Sequence, residues 1–198
     1  MTHDASNGWE AVAQEFMAAR STIGLGTVRA WARTLPAGGS ILDLGAGSGV
    51  PLAAALIEDG FAVSAVDASP SLVAAFRQRF AKVEIACEPA EHSAFFHRTF
   101  DGVMAIGLIF LLPAASQRAL IRRVFGGLKP LGRFMFTAPQ EACEWPDRLT
   151  GRPCRSLGAQ AYGALLSEAG MRLIGTYRDE GQNHYFEAQK PAIPLSES

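Results

Sequence analysis

The stretch Ile41-Leu42-Asp43-Leu44-Gly45-Ala46-Gly47-Ser48-Gly49-Val50 decides the fold of this chain. A short apolar segment runs into a glycine turn, and a segment of helical character follows. Glycines let a backbone turn sharply and approach a ligand that side chains would otherwise hold off. The helix start behind such a turn offers unpaired N–H groups and a positive dipole end. Two acids accompany the turn. Asp43 lies two residues ahead of Gly45, and Asp67 ends the next apolar segment, Ala62–Asp67. A carboxylate in that second place can accept both hydrogens of a sugar diol. Its alternative reading is a helix cap, a role for which Ser69, directly ahead of Pro70, is better placed.

Working outward, short runs of aliphatic and β-branched residues recur at Ser40–Gly45, Ala62–Asp67, Val83–Cys87, Asp101–Leu108 and Gly132–Thr137. Helical spacing fills the intervals. Leu72, Phe76 and Phe80 share one face, and Ile121, Val124, Phe125 and Leu128 repeat at i, i+3, i+4 and i+7, as do Tyr162, Leu165, Leu166 and Ala169. Alternating strand and helix predicts a doubly wound, mostly parallel sheet with helices on both faces. The C-terminal pair, Met171–Arg178 and Asn183–Gln189, is separated only by Asp179-Glu180-Gly181-Gln182. That spacing suits a hairpin and is too short for a crossover, so these strands are expected to be antiparallel. The whole is expected to be one α/β domain over residues 1–198: an N-terminal helical lid at 1–35, a sheet-and-helix core at 36–190 and a flexible tail at 191–198. Residues 139–157 read as a long irregular connection after the fifth strand, and connections of that length are usually functional.

Composition narrows the function. The chain has 198 residues, 18 basic against 19 acidic, and a formal net charge of −1. Nucleic-acid binders normally carry a basic excess, so none is expected as a partner. The three cysteines show no C-x-x-C spacing, which argues against a disulfide framework and a metal site and for a reducing cytoplasm. The longest apolar run, Gly102 to Ala115, is about fourteen residues, below the roughly twenty of a membrane span. It reads instead as a buried strand leading to a helix opened by Pro113. Met1–Asn7 lacks the basic-then-apolar pattern of a leader.

At this point the chain resembles the class I S-adenosylmethionine-dependent methyltransferases, through D-L-G-A-G-S-G at 43–49, V-D-A-S-P at 66–70, F-D-G-V at 100–103 and L-K-P-L-G-R at 128–133. The resemblance covers residues from about 9 to 190. It implies a Rossmann-like sheet of seven strands, the last inserted antiparallel, which agrees with the hairpin inferred from spacing. It also implies S-adenosylmethionine as cofactor and S-adenosylhomocysteine as product. Carried over position by position, Gly45, Ala46 and Gly47 would lie under the methionine part, with Asp43 placing its amino group. Asp67 would hold the ribose hydroxyls and Ala68 would sit beside the adenine, with Ile106 near the methionine end. The family's acid after strand three falls here on Pro89, a departure that leaves the adenine edge to Ala90 and to Glu91 or His92. Arg20 would close over the cofactor carboxylate or stand as an exposed helix arginine.

Methyl transfer asks the protein to align a nucleophile and exclude water, so positioning carries most of the rate. A base is required only for a protonated acceptor. Acceptor-side candidates are Trp9, Phe16, Leu108, Phe110, Pro139, Cys143 and Trp145, with His184 and Glu141 as catalytic candidates. Arg148, Arg152 and Arg155 cluster in the long connection and read as a solvated face, with recognition of an anionic acceptor as the alternative. The segment Ala105-Ile106-Gly107-Leu108-Ile109-Phe110 lacks the N/D-P-P-Y/F run of base-flipping amino methylases, so a small-molecule acceptor is expected. Two rivals stand beside this reading. One is a non-catalytic cofactor-binding or partner-regulating protein; in either case the chain is expected to be a monomer or homodimer. The other is an NAD-dependent oxidoreductase, whose fingerprint needs a small residue where Val50 stands.

Overall fold

Strand β1 (Ser40–Leu44) lies at the centre of the computed structural model, which describes residues 4–192. The last six residues of the expected tail lie outside the described part. Parallel β2 (Ala62–Asp67) and β4 (Phe100–Ala105) flank β1 on either side. Beyond them come β3 (Ile85–Cys87) at one edge and β5 (Leu128–Thr137) towards the other. The C-terminal strands β8 (Arg172–Arg178) and β9 (His184–Gln189) complete the order β3-β2-β1-β4-β5-β9-β8, with β9 inserted antiparallel beside β5. This is the Rossmann-like seven-stranded sheet expected from the sequence. The chain leaves β1 in one direction for β2 and β3 and returns to its other side for β4. The carboxyl ends of β1 and β4 therefore border the crevice typical of such a reversal.

Both faces of the sheet are covered, which is why the central strands are predominantly apolar. On one face Leu42, Leu44, Val103, Phe134, Phe136 and Phe186 pack beneath α5 (Ala114–Gly127) and α6 (Ala159–Glu168). The Phe136 ring stacks on both Phe134 and Phe186 at 5.0 Å and meets Tyr162 edge-on. On the other face Ile41, Ala65, Met104 and Met135 pack against α2 (Leu25–Ala32), α3 (Leu52–Glu58) and α4 (Pro70–Arg79). The start of α4 is as the sequence predicts: the Ser69 hydroxyl accepts from Leu72 N–H with Pro70 at the first position.

Two expectations are corrected. The helical segment at residues 8–35 is two helices, a short α1 (Ala13–Ala19) and α2, because Arg20 is extended and Gly24 takes a left-handed φ of +80°. The supposedly irregular connection contains an antiparallel hairpin, β6 (Ala142–Pro146) and β7 (Pro153–Leu157). Its strands are short and largely exposed, so no apolar alternation marks them. Inward-facing polar groups hold the hairpin instead. Gln117 donates to the carbonyls of Leu112 and Arg155 at 2.9 Å and accepts from the Tyr162 hydroxyl at 2.8 Å, and Ser156 donates to Pro139 O at 2.6 Å. The apolar run after β4 leaves the sheet at Ala105 and passes a single 3-10 turn, Ile109–Leu111, before α5.

The third glycine of the turn serves packing. A Cβ on Gly49 would lie 2.6 Å from Phe80 and 2.7 Å from Phe76, at a φ of +79°. Gly49→Ala is therefore expected to cost roughly 1–3 kcal/mol through overpacking and backbone strain, read as a lowered thermal midpoint. An unchanged midpoint would show that α4 yields freely to the added methyl.

Candidate functional site

The glycine turn is built by backbone ties to its neighbour strand. Gly45 and Ala46 both donate to Val66 O, at 2.8 and 3.2 Å, so the turn folds towards the end of β2. There the Asp67 carboxylate accepts from Gly47 N–H at 2.8 Å and from Ser69 N–H at 2.9 Å. Asp67 thus bridges the turn and the start of α4, while Ser69 does the helix capping. Gly47 has a φ of +58°, and a Cβ there would come within 3.0 Å of Phe16. The backbone can approach what lies above it only because no side chain stands in the way.

Above this turn opens a cavity of about 770 Å³. Every residue the sequence assigned to a cofactor lines it: Arg20, Asp43, Gly45, Ala46, Gly47, Asp67, Ala68, Ala90, Glu91 and Ile106. So do Pro89 and His92, at the place of the missing acid. Of the acceptor-side residues, Trp9, Phe16, Leu108 and Phe110 line it; Pro139, Cys143 and Trp145 do not. Trp145 packs its ring 5.4 Å from Phe110 and so backs the wall from behind. His184 and Glu141 also lie off the cavity. The His184 ring rests against Phe186 with both nitrogens buried and unbonded among the described residues, and burial followed by the Arg178 charge lowers its pKa.

Sequence reasoning left out several lining residues. Asp4, Ser6 and Asn7 come from an N-terminal stretch without a recognisable pattern, and Leu111, Pro113 and Ser116 from the link between β4 and α5. Asp147 and Arg152 come from the tip of the β6–β7 hairpin. For Asp147 the only sequence signal is the length of the connection that carries it, whereas Arg152 belongs to the arginine cluster read as a solvated face, with recognition of an anionic acceptor as the alternative.

The N-terminal segment is fastened over the cavity. Glu10 accepts from the hydroxyls of Ser69 and Ser71, each at 2.5 Å, and from Ser71 N–H at 3.0 Å, so its charge sits at the positive end of α4. Asn7 donates to Leu111 O at 3.1 Å, and Arg20 donates to Val50 O at 3.1 Å with its guanidinium 5.0 Å over Phe16. Only Ala13 of α1 is buried, so this helix is held mainly by these polar ties.

Two buried acids face the cavity. Burial pushes the Asp43 carboxyl up to about 7; the Arg20 charge opposes the shift and the Asp67 charge adds to it. Burial also raises Asp67, against the N–H donors of Ser69 and Gly47. A cationic ligand beside Asp43 would favour its ionised form. Among the described residues no cluster of metal-binding side chains occurs and no helix is long and apolar enough to cross a membrane.

Residues 41–132 match the family described as a methyltransferase domain. A search of curated proteins finds no match. Among solved structures, the chain is similar to the 1,6-didemethyltoxoflavin-N1-methyltransferase of Burkholderia thailandensis, bound to 1,6-didemethyltoxoflavin and S-adenosylhomocysteine. Identity is 20%, with 92% of this chain and 84% of that chain covered and a TM-score of 0.74. The CcbJ methyltransferase of Streptomyces caelestis is 16% identical over 96% of this chain and 98% of its own, with a TM-score of 0.77. The [4+2]-cyclase SpnF is 17% identical over 85% and 82%, with a TM-score of 0.70. At these identities the likeness establishes the fold, and a fold that also houses a cyclase leaves the chemistry to the site.

The Asp43 shift has a measurable consequence. The unfolded chain releases this proton near 3.8 and the folded protein near 7. In between, the folded state binds more protons, so stability falls as pH rises across that window. Asp43→Asn is expected to remove this slope, leaving the variant with the higher thermal midpoint above about pH 7. An equal slope in the variant would assign the pH dependence to other groups.

Proposed function

We propose that this chain is a class I S-adenosylmethionine-dependent methyltransferase, a reading its domain match and fold support, and that it methylates a small-molecule acceptor held beside the cofactor in one continuous cavity. The observation that carries the reading is the meeting of Asp67, the Gly45–Gly47 turn and Asp43 on a single cavity that continues into an aromatic wall. The cradle fits the group: the side-chain-free turn admits close approach, and a buried acid titrating near neutrality suits a ligand bearing positive charge. When bound, S-adenosylmethionine supplies a methyl group on a positively charged sulfur.

The chain's own residues then bind, orient and shield. Asp67 accepts from the ribose hydroxyls while keeping its bond to Gly47 N–H. Asp43 holds the amino group and Arg20 the carboxylate of the methionine part. Ala68 and Leu72 flank the adenine, whose edge meets the backbone and side chains of Ala90, Glu91 and His92 in place of the usual acid. Trp9, Phe16, Leu108 and Phe110 form an apolar chamber for the acceptor. Excluding water there strengthens electrostatic contacts and fixes the approach of the nucleophile. Residues 4–35, the described part of the expected lid, cover the cavity, with Glu10 as the latch on α4. With His184 and Glu141 set away from the cavity, no base role is assigned to them, and the acceptor enters with a lone pair already available.

Two measurements test this. Asp67→Ala should weaken S-adenosylmethionine binding by about 1.5–3 kcal/mol in calorimetry, the worth of hydrogen bonds to a charged group, with the fold retained; unaltered affinity would reduce Asp67 to a support of the turn. Glu10→Ala should speed cofactor release roughly five- to tenfold in stopped flow, about the worth of a charged helix-end contact, with little change in association. Cofactor binding without methyl transfer to any of a broad acceptor set would favour the non-catalytic reading, and preferential binding of NADH would overturn both.

A further inference from the structure

The three arginines of the β6–β7 region part company in the structure. Arg155 is paired with Glu144 at 2.6 Å, and Arg148 lies away from the cavity. Arg152 alone of the three lines it. Its side chain is positioned by contact: a Cβ on Gly8 would meet Arg152 Nε at 3.4 Å and Cγ at 3.5 Å, so the arm lies against the N-terminal segment.

The neighbouring acids bond to their own turns, and Asp4 feels the Arg152 charge without a direct pair to it. Asp4, whose carboxyl is held below its usual range foremost by Ser6, accepts from Ser6 N–H at 3.0 Å, Ser6 Oγ at 2.6 Å and Gly8 N–H at 2.7 Å. Asp147 accepts through one oxygen from Leu149 N–H, Thr150 N–H and Thr150 Oγ1, at 3.0, 2.8 and 2.9 Å. Both acids are thus capped by their own turns. The Arg152 guanidinium makes no side-chain hydrogen bond or ion pair within bonding distance among the described residues. Its planar fork suits a planar or tetrahedral oxyanion. The same cavity is lined by Trp9, Phe110 and Leu111, a wall for a flat apolar body. The other cation of the cavity, Arg20, is engaged with Val50 O and acts on Asp43.

We propose that Arg152 is a specificity-determining residue that binds an oxyanionic group, carboxylate or phosphate, on an otherwise apolar aromatic acceptor. This rests on the methyltransferase reading and adds the class of acceptor to it. The hairpin tip carries the recognising group, and the N-terminal segment packs it in place.

The test is calorimetry on the full chain saturated with S-adenosylhomocysteine, using 2-naphthoate, 2-naphthyl phosphate and the uncharged 2-naphthamide as probes. The native protein should bind at least one anion tenfold or more tighter than the amide, and the preferred anion separates a carboxylate acceptor from a phosphate one. Arg152→Gln should abolish the preference, Arg152→Lys should retain part of it, and Arg148→Gln should leave it intact. S-adenosylhomocysteine affinity should stay constant in all three. Equal affinity for anions and amide, no binding of any probe, or a preference that survives Arg152→Gln overturns the inference. Failure of S-adenosylhomocysteine itself to bind the native protein overturns the methyltransferase reading beneath it.

Discussion

The bond from Gly47 N–H to the Asp67 carboxylate is the constraint on which the site depends. It ties the turn after β1 to the end of β2 at 2.8 Å, next to the Ser69 N–H that opens α4. Through it, one side chain sets the distance between the two central strand ends. The crevice at the sheet's reversal point is thereby given a floor of bare backbone and a wall bearing a carboxylate. The cost is electrostatic. Asp43 and Asp67 are both forced upward in pKa by burial, with the Asp67 charge adding to the shift of Asp43 and the Glu10 charge to that of Asp67. A protein folded for its own stability alone would not place two acids there; their presence makes sense as provision for a ligand that brings hydroxyl donors and positive charge.

The remaining parts are arranged around that floor by different means. The sheet is an apolar solid, with stacked Phe134, Phe136 and Phe186 on one face and Met104 and Met135 on the other. The covers are polar and local. Glu10 grips the start of α4, Asp4 and Asp147 cap their own turns, and Gln117 and Ser156 hold the hairpin from beneath. Such ties are individually modest beside the burial that holds the sheet. Covers of this kind can open without disturbing the core, as a site that admits ligands and then excludes water requires.

The architecture was largely legible before any coordinate. The β-strand runs, the helix start at Ser69-Pro70 and the antiparallel ending followed from periodicity and from a connection too short for a crossover. The break between α1 and α2 was not legible, because a helical pattern continues in the residues on both sides of a left-handed Gly24. Nor was the β6–β7 hairpin, since its exposed strands carry no apolar alternation and its anchors, Gln117 and Tyr162, lie on α5 and α6. The residues read as a cofactor cradle all line one cavity, whereas Trp145, Pro139, His184 and Glu141 stay off it.

The difference has one physical cause. The sequence by itself determined what depends on neighbours along the chain: strand and helix periods, the glycine turn, the cap, and the acid that must end β2. Those features are set by backbone sterics and by spacings of a few residues, which a linear text records. Only the tertiary structure decided which distant side chains share a wall. It brought Asp4, Asn7, Leu111, Asp147 and Arg152 to the same cavity, turned Trp145 to the back of Phe110, and separated Arg152 from Arg148 and Arg155. Contacts between segments more than a hundred residues apart arise from how the covers dock on the sheet, and no local pattern encodes that.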